Sequence, residues 1–359
     1  MDDRTKAGLR GPVSVCRLDA TVFARGCTGS ACDIEPKEQS SWKITRYHRD
    51  GRMAQYHQHN HDGSEWISTY TYDAGRLREI EIQDAKASVS KTVYHYDERG
   101  RLQSVTVRER GGAEDILQTF TYDDQNKTKT QYFDSTPGRA GSAVTCYSVE
   151  GSDVAYSAQG ATSMTTVYDA QGRPTETLFH DPQQRPLSRV TLRYDQAGRL
   201  VEEMQTTEME EALPADMHPR LSAAQLQSVK TVFGLEAGGQ RWKQLHHYDA
   251  EGHRVETVLL LGDLGGERKI MAYNQHGDLS EEKSVHNWML PGIDGQGRIV
   301  ERSGPSAGET PASESRFSYQ YDEHGNWIER VVSTRGAPDM PFTVCGVDRR
   351  SLYYYPLDL

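Results

Sequence analysis

The stretch Tyr96-Asp97-Glu98-Arg99-Gly100-Arg101-Leu102 returns almost unchanged as Tyr194-Asp195-Gln196-Ala197-Gly198-Arg199-Leu200. The shared phrase is Tyr, Asp, two free residues, Gly, Arg and an apolar residue. Variants of it begin at Tyr72, Tyr122, Tyr168, Tyr248, Tyr273 and Tyr321. Self-similarity at a fixed period sets architecture first, because each unit must bury its apolar face against its neighbours. Successive anchoring tyrosines lie 24, 26, 46, 26, 54, 25 and 48 residues apart, so the three long gaps are near twice the short ones. A worn copy at Tyr147 and Gly151 fits the first long gap, and Ile293-Asp294 with Gly297-Arg298-Ile299 fits the last. An early copy stands at Tyr47 with Asp50-Gly51-Arg52-Met53. The array then reads as about eleven units of about 25 residues.

Each unit reads as a β-hairpin. The lead-ins Tyr70-Thr71-Tyr72, Tyr94-His95-Tyr96, Phe120-Thr121-Tyr122 and Tyr319-Gln320-Tyr321 alternate, which places both aromatics on one face of a strand. Turn chemistry follows. Asp73, Asp97, Asp123, Asp169, Asp195, Asp249 and Asp322 suit the first turn position, because a short carboxylate can accept from the backbone N–H groups ahead of it. Gly75, Gly100, Gly172, Gly198, Gly252, Gly277 and Gly325 suit the left-handed position that closes the turn. An apolar residue opens the exit strand, as at Leu77, Leu102, Leu200, Val255, Leu279, Ile299 and Trp327. Glu79, Glu202, Glu281, Glu301 and Glu329 come two residues later, and Arg76, Arg101, Arg173, Arg199 and Arg298 directly follow the turn glycine. Two readings of these charges stand: a Glu–Arg ladder between hairpins, or solvated charge on an outer face.

The phrase resembles the YD repeat of the rearrangement-hotspot (Rhs) family, which is also seen in teneurins and in the shell subunits of Tc toxins. The resemblance covers roughly residues 44–335. It implies an all-β chain of antiparallel hairpin repeats in a curved or spiralling sheet, a β-solenoid or partial shell. It also implies export, to the cell surface or beyond. Asn274, Asp278, His253 and Asn326 depart from the phrase without disturbing the hairpin pattern. The strongly patterned segment that usually precedes a toxin domain in Rhs proteins is not found.

Composition agrees with a thin sheet. Hydrophobic content is 35%, with 19 Tyr against 7 Phe, which suits side chains that bury a ring and keep a hydroxyl wet. A net charge of −11 argues against nucleic acid, whose phosphates need clustered Lys and Arg. No apolar run reaches membrane-spanning length, and no signal peptide is visible. Cys27 and Cys32 suit a disulfide in an oxidising compartment, or free thiols; with five cysteines at least one stays unpaired.

Three segments are expected: a tail and cap over 1–40, the repeat array over 41–335, and a cap over 336–359. The array is interrupted at about 206–229, where Leu221-Ser222-Ala223-Ala224-Gln225-Leu226 favours one short helix. His57, His59 and His61 share a face if they lie on one strand, and imidazoles so arranged bind zinc or copper. The outer two would be about 13 Å apart without a bend, so an exposed His-rich strand or turn is the plainer reading. Trp42, Trp66, Trp242, Trp288 and Trp327 either pack between repeats or stack on sugar rings. No phosphate loop or nucleophile elbow occurs. The expected function is therefore non-enzymatic: a scaffold, without a cofactor, that binds or shields a carbohydrate or protein ligand. The alternatives are an orphan shell piece of a toxin-delivery system, and a hydrolase using the histidines or the insertion.

Overall fold

The computed structural model describes residues 2–24, 27–28, 31–32, 37–85, 89–109, 112, 114–133, 146–152, 154–158, 160–209, 227, 230–231, 234–262, 265–288, 292–293, 299–300 and 313–356. Twenty strands belong to one antiparallel sheet. They are β1 (Val13–Ala24), β2 (Lys37–Tyr47), β3 (Met53–His59), β4 (Glu65–Asp73), β5 (Arg76–Asp84), β6 (Val89–Tyr96) and β7 (Leu102–Glu109). Next come β8 (Glu114–Asp123), β9 (Thr128–Phe133), β10 (Ser163–Tyr168), β11 (Pro174–His180), β12 (Pro186–Tyr194) and β13 (Leu200–Thr207). The last are β14 (Gln240–Tyr248), β15 (Arg254–Leu260), β16 (Gly265–Tyr273), β17 (Leu279–Trp288), β18 (Ser313–Tyr321), β19 (Trp327–Arg335) and β20 (Thr343–Tyr354).

Each strand pairs with the next in chain order. The order then closes. β1 pairs with β2 from Val15↔Arg46 to Ala24↔Lys37, and with β20 from Val13↔Tyr354 to Val22↔Gly346. This is the connectivity of a β-barrel, and it corrects the expected solenoid, spiral or partial shell. The physical reason is the edge: an open sheet presents two rows of unpaired N–H and C=O groups, and closure removes both. The closing strands come from the segments read as end caps, which carry no repeat phrase. By contact clustering the chain divides into two units, Met1–Leu117 with Tyr273–Glu281 and Ser313–Leu359, and Gln118–Ala272 with Glu282–Ala312.

The phrase works as a local circuit. At Asp97, one carboxylate oxygen accepts from the Arg101 N–H at 2.8 Å, and the other accepts from its Nε at 2.8 Å. Asp169 with Arg173 and Asp195 with Arg199 repeat this geometry. The guanidinium then lies over the next phrase tyrosine: Arg173 is 4.7 Å from the Tyr194 ring centre, and Arg199 is 4.8 Å from that of Tyr248. The tyrosine hydroxyl reaches back to the preceding exit strand. Tyr96 donates to Leu77 O at 2.7 Å, Tyr194 to Pro174 O at 2.9 Å and Tyr248 to Leu200 O at 2.8 Å. Arg101, Arg173 and Arg199 thus pair with their own Asp, not with a Glu of the next hairpin. The exit-strand glutamates instead pair with cations on neighbouring strands, Glu79 with Lys91 at 2.9 Å and Glu329 with Arg349 at 2.9 Å.

At two of the repeats that lack the arginine, those of Asp278 and Asn326, Arg10 supplies donors from outside the array. Its Nη1 donates to Gly325 O at 2.9 Å and its Nη2 to His276 O at 2.7 Å. The buried Asn326 amide accepts from Arg10 N at 2.6 Å and donates to Arg10 O at 2.9 Å, as a paired strand residue would. A substitution that sequence alone reads as drift is where the N-terminal segment docks, beside the small core of Leu9, Val13, Cys16 and Tyr47.

Two expected repeats are not ring hairpins. Cys146–Ser148 and Ala155–Ser157 pair only with each other, while β9 pairs directly with β10, so the Tyr147 copy stands off the ring. Gly292–Ile293 pairs with Ile299–Val300 as another separate ladder, and residues 294–298 lie outside the described residues. So do residues 210–226, where the helical insertion was expected. One turn of the same kind is missed by the phrase: Asp181 binds Arg185 as Asp97 binds Arg101, with Gln184 at φ 61° in the glycine position.

Gly100 has φ 76°, and a Cβ there would fall 2.1 Å from Arg76 Nη2. Gly100→Val is expected to cost about 1–3 kcal/mol, and the exposed Glu98→Val much less. Equal melting temperatures for the two variants would remove the turn assignment. Asn326→Ala leaves Arg10 N–H and O without that partner and is expected to cost about 2–4 kcal/mol, read by chemical denaturation.

Candidate functional site

Alternation places Glu203, Gln205 and Thr207 of β13 on one sheet face, with Ser188, Val190 and Leu192 of β12 and Thr177 and Phe179 of β11. The hairpin of residues 146–157 lies against this face. Its Tyr156 and neighbouring Val149 and Ala158 join Met164, Phe179, Val190, Leu192 and Leu200 in the main core of the second unit. Polar groups are buried with them. Tyr156 Oη donates to Glu203 Oε2 at 2.6 Å, and Ser152 Oγ donates to the same oxygen. His246 Nε2 is 3.2 Å from Glu203 Oε1, and its Nδ1 is 3.3 Å from Thr257 Oγ1. Trp242 Nε1 donates to Gln205 Oε1 at 2.9 Å, and Gln205 Nε2 donates to Ser188 Oγ at 2.8 Å.

Glu203 is 1% exposed and His246 is 2% exposed. Burying a carboxylate costs several kcal/mol unless its oxygens are satisfied. Burial pushes the Glu203 carboxyl up, but hydrogen bonds from His246, Ser152 and Tyr156 outweigh it and hold the group below its ordinary range. Burial, and then the Glu203 carboxylate, push the Tyr156 phenol up, so it stays protonated and donates. The arrangement is not a hydrolase triad. In a nucleophile–base–carboxylate relay the imidazole stands between serine and acid. Here the carboxylate stands between Ser152 and His246, and the imidazole has no access to the serine proton. His246 faces this cluster while His247 faces the other way and meets Glu256 Oε2 at 2.6 Å. Adjacent strand residues face apart by alternation, but no local pattern signals the cluster, whose members come from separate stretches of the chain.

The three candidate metal histidines do not converge. His57 and His59 lie on β3, and His61 lies beyond it in a turn. Trp42 packs edge-on to His57 at 4.7 Å and flat on His59 at 5.4 Å, and His57 is paired with Glu65. Among the described residues, the group of three with ligand atoms near one another is Asp249, Glu251 and His253. Its Asp and His fill the Asp and Arg places of a repeat turn, and Asp249 is already held by the His253 N–H at 2.8 Å.

In the first unit, Tyr56, Tyr70 and Tyr94 share the face that carries the phrase tyrosines. Tyr56 stands opposite Ser68, Ser68 opposite Ile82, Tyr70 opposite Ile80, and Tyr94 opposite Val105. The three tyrosines are half-buried, and Ile82 is 37% exposed. Burial pushes all three phenols up. The opposite face of the same strands carries Lys91 between Glu79 and Glu81, at 2.9 and 2.8 Å. The second unit shows the same polarity opposite Glu203, where Arg189 bridges Glu176 and Glu208, and Lys243 meets Glu202 at 2.8 Å. Three tryptophan faces are taken: Trp42 lies between Arg17 and His59, Trp242 against Tyr156, and Trp327 under Arg350 at 3.5 Å.

No family model and no curated protein matches the chain. Among solved structures it is similar to a porin-like protein from Bacteroides uniformis ATCC 8492, with 8% identity, 96% of this chain and 99% of that chain covered, and a TM-score of 0.35. It is also similar to a chain of the TcdB2-TccC3-Cdc42 structure, with 11% identity over 91% of this chain and 19% of that chain, at a TM-score of 0.21. Neither likeness is close enough to carry function. The resemblance to the YD-repeat or Rhs family is not upheld, since no family model matches and the pairing order is closed where a solenoid or partial shell would be open. No described helix is long and apolar enough to cross a membrane.

Glu203→Ala leaves Tyr156, Ser152 and His246 without their common acceptor and is expected to cost about 3–5 kcal/mol, whereas Glu203→Gln, which keeps an acceptor oxygen, costs less. Denaturant melts followed by tryptophan emission would check the order; equal midpoints for Glu203→Ala and wild type would refute the buried network.

Proposed function

We propose that this protein is a non-enzymatic, water-exposed β-barrel scaffold that binds or shields a ligand in the cell envelope. The observation that carries the reading is charge on the sheet. A lipid-facing belt needs apolar residues at alternate positions, and an Arg or Lys at its centre costs about 2–4 kcal/mol. Each unit has a face laced with ion pairs, Glu79 and Lys91 in the first and Glu176, Arg189, Glu202 and Lys243 in the second, and the other face of the second unit buries Glu203 and His246. Neither supplies such a belt, so water on the strands is favoured over lipid. The ligand surface is the row of Tyr56, Tyr70 and Tyr94 with Ile80 and Ile82. Rings with a wet hydroxyl bury area at low entropic cost, which suits a protein partner. A sugar platform is the weaker reading, because Trp42, Trp242 and Trp327 already spend their faces within the protein.

Tyr70→Ser/Tyr94→Ser is expected to lower capture of proteins from an envelope fraction at least tenfold while leaving the melting temperature within a few degrees. Unchanged capture, or binding of glycans alone on an array, would overturn the protein-ligand reading.

Export has independent support in the cysteine register. Cys27 stands directly opposite Cys32 in a short antiparallel ladder. Opposed residues in such a ladder have Cα atoms about 4.5–5.5 Å apart, within the range a disulfide spans. The protein purified from its native compartment is expected to show Cys27 and Cys32 protected from alkylation until reduced, with Cys345 modified first. Free Cys27 and Cys32 in that material would count against an oxidising location.

A further inference from the structure

We propose that the hairpin of residues 146–157 is an acid-released strap, docked over the face of β11–β13 and able to leave it without opening the ring. The first ground is topological. Among the described residues its two strands pair only with each other, and β9 and β10 pair directly from Thr128↔Val167 to Tyr132↔Ser163, so the ring ladder continues past the hairpin. The second ground is how the face beneath is satisfied. Gln205 binds Ser188 at 2.8 Å, Thr166 binds Thr177 at 3.1 Å, and Thr207 binds Gly234 O at 2.6 Å, all without the hairpin. Release therefore leaves the polar groups of this face paired, and its cost is the exposure of Phe179, Val190 and Leu192, about 1.5–3 kcal/mol for each side chain fully uncovered.

The third ground is that the polar tethers run through two carboxylates. Glu203 on the sheet accepts from Ser152 and Tyr156 of the hairpin. Glu150 of the hairpin meets Lys129 of β9 at 3.0 Å and accepts from Tyr168 of β10 at 2.8 Å. The titratable groups around Glu203 are His246 of β14, Tyr156 of the strap and Tyr194 of β12; around Glu150 they are Lys129 and Tyr168. Burial raises Glu150 as it raises Glu203, and the Lys129 and Tyr168 hydrogen bonds outweigh it, so both carboxyls lie below their ordinary range. A carboxyl lowered in the docked state stabilises docking above its ordinary value, and this is lost as pH falls through the docked value. Acid therefore weakens both tethers in the same direction. Glu150 is half exposed and contributes the lesser share.

Hydrogen exchange by mass spectrometry, corrected for intrinsic rates and run from pH 7 to pH 4, tests this on the full chain. Protection of residues 146–158 is expected to fall about threefold or more toward pH 4, close to the limit of about fourfold that one lowered carboxyl of ordinary value 4.5 sets at that pH, while Pro174–His180 and Leu200–Thr207 hold theirs. Glu203→Gln is expected to show low strap protection already at pH 7 and little change with pH. If that variant does not fold, Tyr156→Phe, which keeps the ring and the carboxylate, is expected to lower strap protection at pH 7 and flatten its pH dependence. Constant protection of the strap, a fall shared equally with the ring strands, or a Tyr156→Phe profile equal to wild type would each overturn the proposal.

Discussion

Every backbone donor and acceptor on the border of a β-sheet needs a partner, and this protein meets that requirement by seating its first strand between its second and its last. β1 pairs on both sides over almost its whole length. The repeat hairpins then have no edge, and each is held between two neighbours of its own kind. The repeats have room to drift once this is in place. The phrase loses its arginine at Asp278 and Asn326, and Arg10, just ahead of the closing strand, crosses back to supply the donors. Closure and repeat chemistry therefore meet in one short N-terminal segment.

Within the ring, side chains connect the hairpins end to end. An Asp fixes its own turn and orients an Arg, the Arg covers a Tyr of the following unit, and that Tyr returns a hydrogen bond to the preceding strand. Each contact is individually modest, since exposed ion pairs and cation–π contacts contribute about 0.5–1 kcal/mol. Their effect is on register. A one-residue slip of any strand breaks the Tyr-to-carbonyl bond and turns the alternation inside out.

The second unit differs by burying charge. Glu203, His246 and Gln205 lie under a hairpin that the ring itself does not require. A solely structural core at that place would be expected to be apolar, because replacing buried polar clusters by well-packed hydrophobic groups is often neutral or stabilising. The retained polarity belongs with a contact that can be made and unmade. In the first unit the corresponding face keeps Tyr56, Tyr70 and Tyr94 half-buried. Ion pairs on the opposite face of the strands keep it compatible with water.

The sequence by itself determined the strands, the turns and their residue roles. Tyr-Asp-x-x-Gly-Arg is a local pattern, and alternation, a short carboxylate and a left-handed glycine act over fewer than ten residues. Tertiary structure alone decided three things. Closure depends on β1 and β20, whose residues lie over 300 positions apart and share no repeat signal. The Asp181 turn escapes the phrase because Gln184 takes the glycine position through local backbone geometry, not residue type. The Glu203 cluster gathers Ser152, Tyr156, Glu203, Trp242 and His246 from separate stretches, each ordinary in its own. A period reports what each unit does to its neighbour; which non-neighbours meet depends on how the backbone hydrogen bonds are satisfied over the whole chain, and no local pattern carries that information.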